Sequence, residues 1–445
     1  MIRWPASIAP FFDLLDWSAI PERDESHPWP GSPPHPQRAY VKALLVKINE
    51  HLEYTSRLRR FLVKHPALVL RLGFRSVEDA TQPFGFAVEQ TVPCDRHLRR
   101  KLQTFDNTWL QHLLAGTVTT LKGEIPDAGD SVALDVKHLY AWVRENNPRE
   151  HLPHRFDPAR QPHGDPNCKL GVKESHNQGQ AVTPAPVPTS KAVASSPPAH
   201  PSPGSHTNEY VWGYGTGITV SRHPTEGEFV IAEETRTFDQ HDSRYFFSLI
   251  TQTETRIGHG PKRFTADAAF DAWYIYEHIH HAGGKAYIAF NSRGFVYPTL
   301  GPQGHPLCAD GREMVGQSQF YDATHGYRAE VNKCPLVSGA SSSPETCRIQ
   351  HPQFVKGIGC VKYRNLELGA QLRIQLDRQS KEYDLAYDDR TAAERINSQA
   401  KALGIERPRL RRMSGIRNQN TLTYIVINLK AIQRLRAAKA QARSP

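Results

Sequence analysis

Four residues late in the chain, Tyr387, Arg390, Glu394 and Lys401, stand at offsets 0, 3, 7 and 14. At about 100° per residue they fall within about 60° of one another on a helical wheel. Ala392, Ala393, Ile396, Ala400 and Leu403 take the opposite side, and Gly404 supplies a helix stop. The segment therefore reads as an amphipathic helix whose polar stripe mixes one carboxylate with a phenol, a guanidinium and an ammonium. Such a stripe is either a solvated face or a site for phosphate and metal. Two more carboxylates favour the second reading. Asp135 lies in the apolar run "SVALDVKHLY", where an unpartnered charge is costly. Asp267 follows "RFTA" at a strand end, where open α/β sheets bind ligands. Each also has a structural reading. Asp135 could bond local amides, and Asp267, like Asp271, could cap a helix.

Together the three acids suit divalent-metal chemistry at phosphorus. Two Mg²⁺ or Mn²⁺ ions can activate an attacking oxygen and relieve charge on the leaving one. Oxygen ligands suffice for Mg²⁺, so no His or Cys cage is required. Arg390 and Lys401 could hold phosphates on either side of the bond, and Tyr387 could bond a phosphate or stack on a base.

The charge distribution agrees. The formal excess of the 445-residue chain is +10. Residues 401–445 hold eleven Lys or Arg against one acid, Glu406, which accounts for all of it. Arg407, Arg409, Arg411 and Arg412 cluster directly after the candidate helix, as expected for contact with a polyanion such as DNA. There is no run of 18 apolar residues and no signal-peptide pattern, and six cysteines suit a reducing compartment. These features point to a cytoplasmic protein with no membrane association.

The elements that must position these residues form an α/β pattern. Residues 1–35 are Pro-rich and irregular. Residues 36–125 read as an all-α unit with basic helix faces, a DNA-binding domain by expectation. From 127 to 294 the pattern is three strands, a helix near 241–257, strand "KRFTA", a helix at 269–282 and strand "KAYIAF". A polar loop insertion at 145–208 interrupts it, and its part 181–207, with seven prolines, is expected to be disordered. Residues 295–382 form a Cys-containing, β-rich insertion in which "QLRIQLD" alternates like a strand. Two C-terminal helices are expected over 383–435, then a basic tail at 436–445.

The spacing Y-x2-R-x3-E-x6-K resembles the YREK signature of bacterial insertion-sequence DDE transposases. The stretches "ADAAFDAWYIYEHI", "DRTAAERINSQAKALGIERPR" and "NTLTYIVINLKAI" are also similar to that family, over roughly residues 127–435. The resemblance implies a ribonuclease-H-like mixed sheet flanked by helices, with Asp135, Asp267 and Glu394 as the metal-binding catalytic triad. It implies that Tyr387, Arg390 and Lys401 handle phosphates at the transposon end. It further implies double-stranded DNA partners (terminal inverted repeats and target) and a homodimer in the synaptic complex. A catalytically inactive, transposase-derived DNA-binding protein is the alternative. In the insertion, Cys308, Cys334, Cys347 and Cys360 could bind a structural Zn²⁺ or be independent buried thiols.

Overall fold

A computed structural model describes residues 9–24, 26, 30–31, 33–174, 208–291, 299–338 and 346–443. The Pro-rich stretch 181–207, expected to be disordered, lies outside the described residues. Helices of two turns or more are α1 Gln37–Asn49, α2 Thr55–Val63, α3 Pro66–Leu72, α4 Asp95–Thr104, α5 Asn107–Glu124, α6 Phe246–Ile257, α7 Trp273–His281, α8 Leu368–Gln375, α9 Lys381–Tyr387, α10 Thr391–Ala402 and α11 Met413–Arg443. The strands are β1 Ser131–Tyr140, β2 Lys169–Glu174, β3 Asn208–His223, β4 Gly227–Thr237, β5 Arg263–Ala266, β6 Lys285–Ile288, β7 Val315–Asp322, β8 Tyr327–Lys333 and β9 Val361–Asn365.

The main sheet is mixed and flanked by helices. Its order is β2-β3-β1-β5-β6, with β4 also paired to β3. β1, β3 and β4 run antiparallel, whereas β5 and β6 run parallel to β1. The parallel strands need helical crossovers, which α6 and α7 supply. The short runs "RFTA" and "KAYI" are buried beyond their first residue, as expected of parallel strands covered on both faces. β7, β8 and β9 form a separate three-stranded antiparallel sheet within the insertion.

Four sequence expectations need correction. "QLRIQLD" is not a strand but lies largely in α8. Leu372 and Leu376, one helical turn apart, pack on the main core, and i,i+4 spacing suits a helix as well as alternation suits a strand. The insertion at 145–208 is not all loop, since β2 pairs with β3 and buried Asp165 accepts a 2.8 Å hydrogen bond from Tyr214. The helical unit at 36–125 has no core of its own. Leu44, Leu102 and Leu114 share one hydrophobic core with Val220, Ile250 and Ile425. Finally, residues 436–443 are not a free tail but the last turns of α11, where Arg436 and Lys439 pair with Glu124.

α11 explains the shared core. Its 31 residues pack against α1, α4, α5 and β4. It is apolar almost all round at Leu422–Leu429, and the asparagine amides buried with it donate across the core. Asn418 donates to the Leu102 and Phe105 carbonyls, and Asn428 to Thr117 and the Val230 carbonyl.

Candidate active site

β1 and β5 are parallel neighbours in the register Leu134↔Ala266. The next residues are Asp135, midway along β1, and Asp267, just past the end of β5, so the two acids stand side by side. Asp135 accepts from the Val136 amide (2.9 Å) and from Asn397 Nδ2 (2.8 Å). Asp267 accepts from the Ala269 amide at 2.9 Å and caps a short turn. The capping role foreseen for Asp267 and its place beside Asp135 thus hold together.

Both acids cling to their protons. Burial, then the Asp267 charge, raises Asp135 to about 6, against the pull of the Val136 amide, Asn397 and Arg390. Burial also raises Asp267, and the charge of Asp242 adds to it, while the Ala269 amide, Arg390 and His138 oppose. Two neighbouring carboxylates of raised proton affinity are a pair that could share a cation.

Helix α10 brings the remaining groups alongside β1. In the turn that leads into it, Asp389 accepts from Ser131 (2.5 Å) and pairs with Arg222 (2.8 Å), at the foot of β1 and the end of β3. Two turns later Asn397 meets Asp135. Eight helical residues rise about 12 Å and four strand residues about 13 Å, so helix and strand keep pace. Further on, Lys401 and Lys137 share Glu406, each at 3.1 Å. Burial works to raise Glu406, but the two lysines hold it below its usual range.

The expected helix over 387–401 is interrupted once, by a 3-10 turn at Asp388–Arg390 that joins α9 to α10. The interruption leaves Tyr387, Arg390 and Glu394 in contact. Arg390 pairs with Glu394 at 2.8 Å, and its guanidinium lies 5.4 Å from the centre of the Tyr387 ring, which stacks on Tyr383. Arg390 Nε is buried without a hydrogen-bond partner. Glu394 stands one turn before Asn397, but its carboxylate is half exposed and turned to Arg390. Among the described residues, no three His, Cys, Asp or Glu side chains already form a group that could hold an ion. Asp135 and Asp267 are therefore together, and Glu394 flanks them without closing a cage.

The basic cluster lies beyond the strand end. The Tyr140 amide donates to the Glu406 carbonyl at 2.9 Å, which fixes the 406–411 segment beside β1. Arg407 sits over the Tyr140 ring (4.3 Å), and Arg411 (5.0 Å) and Arg409 (5.9 Å) over Trp142. Arg409 also pairs with Glu53 at 2.6 Å. Arg412 is exposed, with a backbone φ of 72°. Arg407, Arg409 and Arg411, with the two aromatic rings, line an open, cationic cleft.

No protein-family model matches this sequence, and no curated protein sequence matches it. No helix among the described residues is long and apolar enough to cross a membrane.

Sequence reasoning missed Asn397, His138 and Asp242. Asn397 follows Glu394 by three positions, and a buried polar residue on a helix's apolar side is a detectable signal. His138 lies three residues after Asp135 and reaches Asp242 at 3.7 Å. Nothing in the sequence marks that pair.

Proposed function

We propose that this chain is a DDE transposase of an insertion sequence, built on a ribonuclease-H-like sheet, that cuts DNA at element ends and joins them to a target. The observation that carries the reading is the placement of Asp135, midway along β1, beside Asp267, just past the end of the parallel neighbour β5. The strand arrangement, an antiparallel β1-β3-β4 unit extended by parallel β5 and β6, agrees with it, as does the Tyr387–Arg390–Glu394 cluster. The reading places the protein on chromosomal or plasmid DNA in the bacterial cytoplasm, as a homodimer when two ends are held together.

Asp135, Asp267 and Glu394 are the residues that would hold Mg²⁺ or Mn²⁺. The raised proton affinity of the two aspartates fits that role, because it marks carboxylates short of positive charge. When bound, the ions supply an activated oxygen nucleophile and neutralise charge that develops at phosphorus. The chain's own groups do the positioning. Asn397 fixes one Asp135 oxygen. Arg390 offers its guanidinium Nη groups to a phosphate. A DNA phosphate competes with Glu394 for Arg390, and the exchange frees the Glu394 carboxylate to join the aspartates. Tyr387 steadies the guanidinium. Arg407, Arg409, Arg411 and Arg412 track the DNA backbone, and the Tyr140 and Trp142 rings offer stacking surfaces.

The test is Mg²⁺-dependent nicking of a supercoiled plasmid that carries the repeats flanking the coding region. Glu394→Ala is expected to lower nicking by about 100-fold or more, in keeping with a role in an electrostatic transition-state site, and to leave end binding within about twofold. Equal nicking by the variant removes Glu394 from the mechanism. Repeat binding without nicking by the wild type favours the inactive DNA-binding alternative, which the Arg390–Glu394 pairing also fits.

A further inference from the structure

The insertion carries a feature that end cleavage does not use. Its cysteines lie at 308, 334, 347 and 360, separated by 26, 13 and 13 positions, so no pair is adjacent in sequence. The fold nevertheless gathers them. The Cys334 amide donates to the Cys360 carbonyl at 2.9 Å, where the end of β8 meets the start of β9. A Cβ on Gly359, whose φ is +75°, would come within 2.7 Å of the Cys334 Cβ, so only glycine allows this approach. Lys362 Nζ donates to the Leu307 carbonyl at 2.8 Å and ties β9 to the segment before Cys308. The Arg348 amide approaches Asp310 Oδ2 at 3.5 Å and draws Cys347 toward the turn after Cys308. Three of the cysteines open tight turns, with the Cys308, Cys334 and Cys347 carbonyls accepting from the amides of Gly311, Val337 and Gln350. All four thiols are free, and Cys308, Cys334 and Cys347 are buried.

The energetics of the lobe make the cluster necessary. Among the described residues between 299 and 366, the buried apolar side chains are Met314 and Ala329, with Pro306 and the three buried cysteines themselves. None belongs to the main hydrophobic core. Phe320, Tyr321, Val355, Ile358 and Tyr363 are exposed instead. A lobe this small with so little apolar burial needs a staple, and in a reducing compartment that staple is a metal rather than a disulfide.

We propose that Cys308, Cys334, Cys347 and Cys360 form a tetrathiolate Zn²⁺ site that holds the insertion lobe together. Zn²⁺ binding displaces a proton from each thiol and leaves four Zn–S bonds of about 2.3 Å in tetrahedral array. Among the described residues no three such side chains already form a group that could hold an ion, so Zn²⁺ binding itself must draw the four thiols together. Lys362 stands beside Cys360 and offsets part of the net negative charge. The site is independent of the DNA-cutting reading, because it contains none of Asp135, Asp267 or Glu394.

The experiment uses the full chain purified under reducing conditions. Elemental analysis should give about one Zn per chain. Replacement by Co²⁺ should give the intense visible bands and thiolate charge-transfer absorption of a tetrahedral sulfur site. Cys334→Ser and Cys347→Ser should each lose the metal, whereas Cys94→Ser, at an exposed thiol outside the lobe, should keep it. Retention of Zn by Asp135→Asn separates this site from the carboxylates. Should a lobe variant fail to fold, the Co²⁺ spectrum of the wild type still decides. No zinc from Zn-buffered solution, a weak octahedral Co²⁺ spectrum, or disulfides among the four cysteines in reducing buffer would each overturn the proposal.

Discussion

Replacing Asp135 by Asn should make the metal-free protein more stable while it abolishes cleavage. Burial and the neighbouring Asp267 raise the Asp135 carboxyl from 3.8 to about 6. A group whose folded value lies above its unfolded value favours the fold at low pH, and that advantage is lost as pH rises through the folded value. Well above pH 6 the ionised Asp135 therefore costs the fold up to about 3 kcal/mol, at about 1.4 kcal/mol per pH unit. Partial solvent contact reduces this, so a gain of about 2 kcal/mol is expected for Asp135→Asn at pH 8. The amide also fits the site. Asn397 Oδ1 is buried without a partner, and the new side-chain NH₂ can donate to it once the Asn397 amide turns over. Equilibrium urea unfolding in EDTA at pH 8 and pH 4 reads the effect. The variant should be more stable at pH 8, and the difference should shrink toward zero at pH 4. Added Mg²⁺ should stabilise the wild type more than the variant. A variant that is less stable at pH 8, or a difference independent of pH, would refute the account of two carboxylates in strain.

Glu233, in the same row of the sheet as Asp135 but two strands away on β4, provides a second pH test. It is buried and raised to about 7 by burial, against Thr421, Arg256 and Gln111. The protonated form favours the fold, so the wild type should lose stability between about pH 4.5 and 7 relative to Glu233→Gln; parallel pH–stability curves would contradict this. Asp271, whose side chain is fully buried, accepts from Arg373 (2.8 and 2.6 Å), Tyr276 (2.8 Å) and the Asn291 amide (2.8 Å). Asp271→Ala removes the buried carboxylate that Arg373 pairs with and should destabilise the protein by about 3–5 kcal/mol in urea unfolding, and a loss below about 1 kcal/mol would show that α8 is anchored otherwise.

Much of this arrangement could be read along the chain. Asp135 and Asp267 were identifiable because each follows a short apolar run, and a parallel pairing of those runs puts the acids together. The mixed sheet followed from strands alternating with helical periods. Other features depended on partners that local pattern does not contain. "QLRIQLD" fits two periods equally well, and α8 forms because Leu372 and Leu376 find the main core and Arg373 finds Asp271. The helices at 36–125 looked autonomous because their apolar stripes are clear, yet those stripes are completed by α11, hundreds of residues later. Glu394 was legible as a type and a position, but its engagement with Arg390 was not. Its orientation depends on how two charges divide a single cation.

The depth of α11 has a consequence for synthesis. It is made after every other element described, and it fills the space between the first helices and the sheet. During translation α1, α4 and α5 emerge early with their apolar faces open, and β4 waits likewise. The nascent chain thus carries a long-lived unfinished interior, and its two halves close only when residues 413–443 arrive. A product cut short before Met413 would expose both surfaces at once, so it would aggregate or be degraded rather than persist as a competitor for DNA.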